Sequence, residues 1–122
     1  MSPDGDMEKT RQDFPKSEKV RTKSEIDRIF RTGARYSCKG MVLRVARNSL
    51  GRSRAVFVAV RSFEGAVQRN RAKRIAREVW RINKQRIAPG SDVAFVLYPE
   101  YDSFAECSGL MLLLLRKAGL VR

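Results

Sequence analysis

Two apolar runs, each long enough for one strand, constrain the fold of this chain most strongly. Residues Ala55–Val60 are apolar at every position, and Asp92–Leu97 are apolar after the first residue. A helical pattern occupies residues from about Ala66 to Arg86, and Ala88-Pro89-Gly90 ends it. Strands that are apolar on both faces are typical of sheets covered on both sides. The sequence therefore predicts a sheet with helices packed on it, in which Ala55–Val60 is a central strand.

A short helix precedes these runs. Thr22 and Glu25 match a capping box, in which the hydroxyl and the carboxylate satisfy amide groups at the helix start. Apolar residues then follow at helical spacing, and Gly33 supplies a C-terminal stop. The predicted helix covers residues 23–32.

Further strands and a last helix complete the element order. Arg35–Cys38 and Met41–Ala46 have strand patterns, and Asn48–Gly51 predicts a hairpin turn. Ser103 and Glu106 match a second capping box, which opens a helix that ends near residue 119. The predicted order is αβββαβα, an α+β fold with one sheet and packed helices.

Charge is the second constraint. The chain has 122 residues and a formal net charge of +13 at pH 7. Residues 1–18 carry five acidic and three basic side chains, so residues 19–122 carry a net charge of +15. A field of that strength indicates an acidic partner, and a polyphosphate chain is the usual one. We expect residues 1–20 to be a disordered leader and residues 21–122 to form one domain.

The residue types exclude several kinds of site. The chain has no histidine, which removes imidazole acid–base chemistry and most histidine-ligated zinc sites. Cys38 and Cys107 are too few for a zinc ribbon, and the sequence leaves a disulfide between them open. Glu100, Asp102 and Glu106 form the local carboxylate cluster, and the start of a helix accounts for the last two. We therefore predict no catalytic residue and no metal ligand in the polypeptide.

The sequence also favours a particular compartment. The first residues are acidic and polar, unlike a signal peptide, and Leu110–Leu115 is far shorter than the ~20 residues of a membrane span. With only two cysteines, the chain is predicted to be a reduced, soluble, cytoplasmic protein without a membrane partner.

The segment from Arg69 to Arg81 is the most informative one for function. At about 100° per residue, one stripe of the helix collects Ala72, Ile75, Ala76, Val79 and Ile82. An arc of roughly 140° on the other side collects an amide and six cations, namely Arg69, Asn70, Lys73, Arg74, Arg77, Arg81 and Lys84. Such crowding of like charges indicates a face that phosphates occupy, and arginine favours forked phosphate contacts. A merely solvated face explains the single sign of the charges less well. Trp80 lies at the edge of the arc, where core packing is a better interpretation than base stacking.

This segment resembles the signature of a known family. The pattern Ala66-Val67-x-Arg69-Asn70-Arg71-x-Lys73-Arg74-x-x-Arg77-Glu78 is similar to that of the bacterial ribonuclease P protein subunit. The resemblance covers about residues 20–118, because the first helix, the strand order, Gly90-Ser91-Asp92 and the Ser103-x-x-Glu106 cap follow in matching order.

The resemblance carries implications for fold and activity. It implies an α/β sandwich whose motif helix makes a left-handed crossover between parallel strands. It also implies a protein that binds a large catalytic RNA and helps it cut precursor tRNA, so that the 5′ leader is released. Because the RNA and its Mg²⁺ carry out the hydrolysis, the resemblance implies neither a cofactor bound by protein side chains nor a small-molecule substrate.

Two sets of site residues follow by position. The motif assigns Arg69, Asn70, Arg71, Lys73, Arg74 and Arg77 to the RNA-facing surface. To these we add Arg81 from the basic arc and Arg61 from the segment before the helix. Phe30, Ile26 and Arg44 are assigned to a cleft between the first helix and the sheet that holds the leader. Without the resemblance, Phe30 is better explained as a core residue, because Ile26 and Ile29 share its short helix.

This sequence departs from the family pattern around that cleft. Ile26 stands where the family often has a second aromatic residue, and Arg44 replaces an aromatic residue of a strand. Before the motif helix, Arg61 is the one charge retained from a Ser-Lys-Lys-x-Gly segment, and Glu64 replaces its glycine. We expect such a cleft to hold the leader more by charge and less by stacking.

A small ribosomal protein embedded in rRNA is the rival interpretation. Composition alone fits both proteins equally well. The motif spacing and the order of the elements favour the ribonuclease P subunit, with the catalytic RNA and precursor tRNA as its partners.

Overall fold

The computed structural model describes residues 19–20, 22–100 and 103–121. Its helices and strands are α1 (Lys23–Thr32), β1 (Ala34–Cys38), β2 (Met41–Arg47), β3 (Arg54–Ala59), α2 (Ala66–Asn83), β4 (Ser91–Leu97) and α3 (Phe104–Lys117). A short 3₁₀ turn, Lys84–Arg86, follows α2. The predicted order αβββαβα is confirmed.

The four strands form one sheet in the order β1-β2-β4-β3. β2 pairs antiparallel with both β1 and β4, whereas β3 pairs parallel with β4. A parallel pair needs a crossover connection, and α2 provides it. The left-handedness of this crossover stays a prediction.

The prediction that the Ala55–Val60 run is a central strand is wrong, because β3 lies at an edge of the sheet. Its apolar pattern has another cause. Ala55 and Phe57 face the core beneath α2, while Val56 packs against the smaller core beneath α1. Coverage of both faces, rather than a central position, accounts for the apolar run that follows Arg54 in β3.

The predicted hairpin at Asn48–Gly51 is also wrong. β2 and β3 do not pair, because β4 lies between them. The side chain of Asn48 accepts a hydrogen bond from the Leu50 amide at 2.9 Å, which explains the local turn signal. A turn motif predicts only that the chain reverses direction locally. It does not predict that the two flanking strands pair, because a strand from later in the sequence, here β4, can lie between them.

Each face of the sheet carries its own core. The larger core lies under α2 and α3 and contains Trp80, whose ring packs edge-on against Phe95 with ring centroids 6.4 Å apart. The preference for core packing at Trp80 is thus confirmed. Ile82, predicted in the buried stripe, is instead 54% exposed, while Asn83 is buried and donates to the carbonyl of Val79. The buried face of α2 is therefore rotated, relative to the predicted stripe, toward Trp80, because this large ring fills the interior.

α1 begins and ends at the predicted residues. Thr22 Oγ1 accepts from the Glu25 amide, and the Glu25 carboxylate accepts from the Thr22 amide, which confirms the capping box. Gly33 ends the helix with an extended backbone. A Cβ atom there would lie 2.4 Å from the carbonyl oxygen of Ile29 and 2.9 Å from that of Val45. Close approach of backbones therefore requires glycine at this position.

The N-terminal boundary differs from the predicted one. Lys19 forms a parallel bridge with Ala55, and the Val20 amide donates to the Ala55 carbonyl at 3.1 Å. Val20 is buried in the α1 core. Lys19 and Val20, which were assigned to the leader, thus belong to the fold; residues 1–18 lie outside the described residues.

A buried carboxylate connects α1 to the sheet. Asp92, at the start of β4, has no exposed surface. Its oxygens accept from Arg54 at 2.9 and 2.7 Å, from Asn48 at 2.7 Å, and from Arg28 of α1. Arg54 also reaches Glu25 of α1 at 3.1 Å. Two ion pairs therefore fix α1 over the edge of β3 and β4.

The charge of Asp92 depends on these partners. Burial raises the pKa of the carboxyl, but the hydrogen bonds from Arg54 and Asn48 and the charges of Arg54 and Arg28 outweigh it, so the pKa lies below its usual range. A group whose pKa is lowered by folding contributes stability above its unfolded pKa of about 4. That contribution disappears as the pH falls through the lower folded value.

Asp92→Asn is expected to lower the free energy of unfolding by about 3 kcal/mol at pH 7, because it leaves the largely buried Arg54 and the partly exposed Arg28 without their shared anion. The difference from wild type should shrink as the pH falls below about 4. Urea unfolding at several pH values measures both effects. Asp27→Asn, which removes an exposed carboxylate of α1, is the control. Equal losses in the two variants would contradict the role of Asp92.

Candidate nucleic-acid interface

One side of α2 carries a row of cations, Arg69, Lys73 and Arg77, which we call the basic row. Arg69, Lys73 and Arg77 are spaced four residues apart, so successive side chains lie about 6 Å apart along the axis. Asn70 and Arg74 are exposed beside them. The opposite side of the helix is anchored in the core, which holds the row in a fixed orientation.

The charges of this row are not neutralised within the described residues. No carboxylate of the described ranges forms a salt bridge with Arg69, Lys73, Arg74 or Arg77. Partial burial and the neighbouring charge of Arg74 lower the pKa of Arg77. Cations that repel one another in this way gain most from a bound anion.

Arg81 differs from the rest of the arc. Its guanidinium forms two hydrogen bonds with the carboxylate of Glu78, three residues earlier on α2. An exposed pair of this kind contributes little to stability and can exchange for a phosphate. Its role at the interface stays a prediction.

Two other predicted residues lie apart from the row. Arg71 is about 160° around the helix from Arg69 and lines a pocket with Phe63 and Glu64. Arg61 is exposed in the turn between β3 and α2. The structure therefore separates the predicted RNA-facing residues into the basic row and a second flank.

The second candidate surface is the cleft beside α1. Ile29 is buried against the sheet, whereas Ile26 and Phe30 are half-buried at its border. On the same face, Val58 and Val96 are paired in register and half-buried. α1 thus leaves an apolar strip of sheet partly open beside Phe30.

Arg44 joins Phe30 at this strip. Its guanidinium carbon lies 5.7 Å from the centroid of the Phe30 ring, and its Nη1 donates to the Phe30 carbonyl at 3.3 Å. The three predicted cleft residues, Phe30, Ile26 and Arg44, are therefore brought to one region. A cation stacked on the ring replaces part of the free aromatic surface.

Arg35 belongs to the same surface and was missed from the sequence. It lies directly opposite Arg44 in the β1–β2 register, so both side chains leave the same face. Like charges in such a pair are destabilising, which indicates a surface suited to anions. Only the strand register reveals this pairing, because the two arginines are remote in sequence.

The basic row borders a pocket at the edge of β3. A pocket of about 340 Å³ there is lined by Lys73 and Arg77 of α2 and by Val20 and Val56 of the α1 side.

We also searched the described residues for metal sites, disulfides and membrane-spanning helices. None of their His, Cys, Asp and Glu side chains form a group of three that could hold a metal ion. Asp102 lies outside the described residues, and Glu106 caps α3 by its contacts with Ser103. Cys38 and Cys107 are free thiols. No described helix combines the length and the apolarity needed to cross a bilayer.

Comparison with known proteins gives consistent matches. A family model described as Ribonuclease P matches residues 14–119. The ribonuclease P protein component of Syntrophobacter fumaroxidans is 34% identical over 113 residues, which cover 89% of this chain and 95% of that one. The corresponding protein of Roseiflexus castenholzii is 32% identical over 107 residues, covering 85% and 88%.

Solved structures agree on the fold. The Staphylococcus aureus RNase P protein superimposes with a TM-score of 0.80 at 18% identity, covering 88% of this chain and all of that one (100%). The Thermotoga maritima RNase P protein has a TM-score of 0.73 at 29% identity, covering 81% and 96%.

Replacing Arg69, Lys73 and Arg77 together by glutamine is expected to reduce the log–log salt dependence of RNA affinity by about two to three units, because each lost phosphate contact removes 0.7–0.9. Filter binding between 50 and 400 mM salt measures the slope. Replacing Lys39, Arg116 and Lys117, on other surfaces, by glutamine removes the same charge as a control. An equal change in both variants would show that only net charge matters.

Proposed function

This chain belongs to the ribonuclease P protein family, and from that premise we propose that its two basic surfaces divide the work of the subunit. It is the protein component of an endoribonuclease that matures the 5′ end of tRNA. The basic row of α2 contacts the catalytic RNA, and the cleft beside α1 holds the 5′ leader of precursor tRNA. The observation that carries this proposal is the row of cations without carboxylate partners in the described residues.

Contact with the catalytic RNA is electrostatic. Arg69, Lys73 and Arg77 neutralise phosphates and release their counterions, while Asn70 and Arg74 add polar contacts. Arg71, Arg81 and Arg61 extend this surface to the other side of α2 and to the preceding turn. A fixed helix holds the backbone of all but Arg61 in place, so the ordering that remains at binding is that of the side chains.

The leader is held by charge and by limited stacking. Arg44 and Arg35 attract its phosphates, and the planar guanidinium of Arg44 offers a base a surface stacked on Phe30. Ile26 and the apolar strip form the floor. Because neither backbone phosphates nor ring faces depend on sequence, one cleft can serve leaders of many sequences.

The polypeptide acts without chemistry of its own. We propose that Mg²⁺ is held by the RNA, and that the docked leader aligns the scissile phosphate with it. Cations of the protein also reduce the electrostatic repulsion between the catalytic RNA and precursor tRNA. The proposed setting is the cytoplasm. The family match decides against a ribosomal protein.

The leader contact predicts a substrate difference. With the protein on its cognate RNA, precursor tRNA should bind more tightly than mature tRNA, and a reconstituted enzyme should process 5′ ends at lower Mg²⁺ than the RNA alone. Gel-shift titrations of the two tRNAs and cleavage across a Mg²⁺ series measure these effects. Equal binding of both tRNAs would contradict the proposal that the cleft holds the 5′ leader.

Two variants separate charge from stacking. Arg44→Ala is expected to reduce the salt slope of precursor binding by about 0.7, because one single-strand phosphate contact is lost. Phe30→Ala should weaken precursor binding about five-fold with an unchanged slope, because stacking is uncharged. Binding of the catalytic RNA is the control for both variants. A change of slope with Phe30→Ala would contradict this division.

A further inference from the structure

A pocket of about 300 Å³ lies at the N-terminal end of α2, beside the connection from β3. The less exposed part of its lining is apolar, because Phe63 and Ile75 pack against the larger core and Ala72 is buried. Its exposed rim is polar and consists of Ser62, Glu64, Gln68 and Arg71. One carboxylate and one guanidinium of this rim balance each other in charge. The pocket therefore suits a neutral group with a polar edge, whereas a phosphate would suit the basic row.

Most of the polar rim is not engaged within the protein. In the part of the chain that the structure describes, no hydrogen bond or ion pair involves the side chain of Ser62, Glu64 or Gln68. A Cβ atom built on Gly65 would lie 3.5 Å from Gln68 Oε1, so the Gln68 amide is folded back over the start of the helix. It thus lies near the connection that carries Ser62 and Glu64. A ligand would meet an acceptor-only carboxylate, an amide and a hydroxyl around one apolar surface.

Backbone hydrogen bonds hold the walls of this pocket in place. The Val60 amide donates to the Leu97 carbonyl at 3.1 Å, which extends the pairing of β3 with β4 into the connection. The Arg69 amide donates to the Gly65 carbonyl at 3.1 Å, which begins the hydrogen-bond ladder of α2. The backbone on both sides of the pocket is therefore fixed before a ligand arrives. The ordering that remains at binding is that of the rim side chains.

We propose that this pocket binds the base of an unpaired guanine in RNA. Phe63 and Ile75 supply the apolar surface on which a flat base lies, as in other sites for unstacked bases. Guanine presents two adjacent donors, the N1–H and the N2 amino group, which match the two oxygens of the Glu64 carboxylate. Adenine, cytosine and uracil each lack such a pair of donors. The Gln68 amide donates to the O6 atom of the guanine.

Arg74 connects this pocket with the proposed RNA-binding surface. It is exposed, has no carboxylate partner among the described residues, and lies three residues beyond Arg71, about 60° around α2. Phosphates on either side of the bound base therefore lie within reach of cations of the helix. The base belongs either to the catalytic RNA or to the leader of precursor tRNA. This assignment alone rests on the proposed function; the preference for guanine does not.

Short RNAs of equal charge test the preference for guanine. The full chain labelled with ¹⁵N is titrated with the RNAs UUGUU, UUAUU and UUUUU, and NMR follows the side-chain amide of Gln68 and the backbone amide of Phe63. UUGUU is expected to bind about ten-fold more tightly than the other two, because it gains one bidentate pair. Inosine in place of guanine lacks the N2 amino group and should lose most of this preference.

A variant links the preference to the pocket. Glu64→Gln is expected to reduce the ratio of the UUGUU and UUUUU affinities to about two or less, because an amide accepts through one oxygen only. Asp27→Asn removes the same charge from α1 and should keep the ratio near ten. Equal affinities of the wild type for the three RNAs, a ratio that Glu64→Gln leaves unchanged, or shifts that bypass Gln68 and Phe63 would overturn the proposal. The salt slope set by the basic row would survive that failure, because the row does not line this pocket.

Chemical probing of the reconstituted holoenzyme identifies the RNA that supplies the base. Kethoxal modifies the N1 and N2 atoms of unpaired guanines, so the bound guanine should be protected by the wild-type protein and modified with Glu64→Gln. Protection in the catalytic RNA or in the precursor-tRNA leader assigns the base to that molecule. The same modification pattern with both proteins would overturn the assignment to either RNA.

Discussion

The buried carboxylate of Asp92 is the interaction on which the arrangement of the two surfaces depends. Apolar contacts under α1 favour burial but specify no single orientation of the helix. The bond from Arg28 to Asp92 and the ion pair of Arg54 with Glu25 do specify it, because charge-assisted pairs are directional. Since α1 forms one wall of the cleft, the charge pair at one end of the sheet sets the position of Phe30 at the other side of the helix.

The arginines of this chain fall into two physical groups. Arg28, Arg54 and Arg81 have carboxylate partners within the protein, so much of their charge is used internally. The basic row has none among the described residues, and its mutual repulsion opposes folding. A bound polyanion removes that repulsion. Under the proposed function, RNA bound to this row would stabilise the subunit, because a ligand that binds only the folded state stabilises it.

The helices and their ends could be predicted because their signals are local. A hydroxyl and a carboxylate three residues apart determine the start of α1, and the 3.6-residue period identifies α2. Strand order could not be predicted, because pairing joins segments that are distant in sequence. The same limit explains the exposure of Ile82, since the size of the Trp80 ring and the shape of the sheet below it set the rotation of α2.

The candidate site residues show the same contrast between local patterns, which the sequence reveals, and contacts between distant segments, which it does not. The basic row is a single-helix pattern and was found from spacing alone, whereas Phe30 was assigned only through the family resemblance. The Arg35–Arg44 pair and the ion pairs of Asp92 depend on the register in which four strands pair. A charged residue that begins a buried strand is the signal that could have drawn attention to Asp92, because such a group is rarely buried without partners.

The short bridge between Lys19 and Ala55 has a consequence for the free subunit. Among the described strands, β3 pairs only with β4 and lies at an edge of the sheet, where unpaired backbone groups allow another chain to add a strand. Lys19 covers part of that margin and places a positive charge beside it. Fewer backbone groups of β3 are therefore open to a strand from another chain.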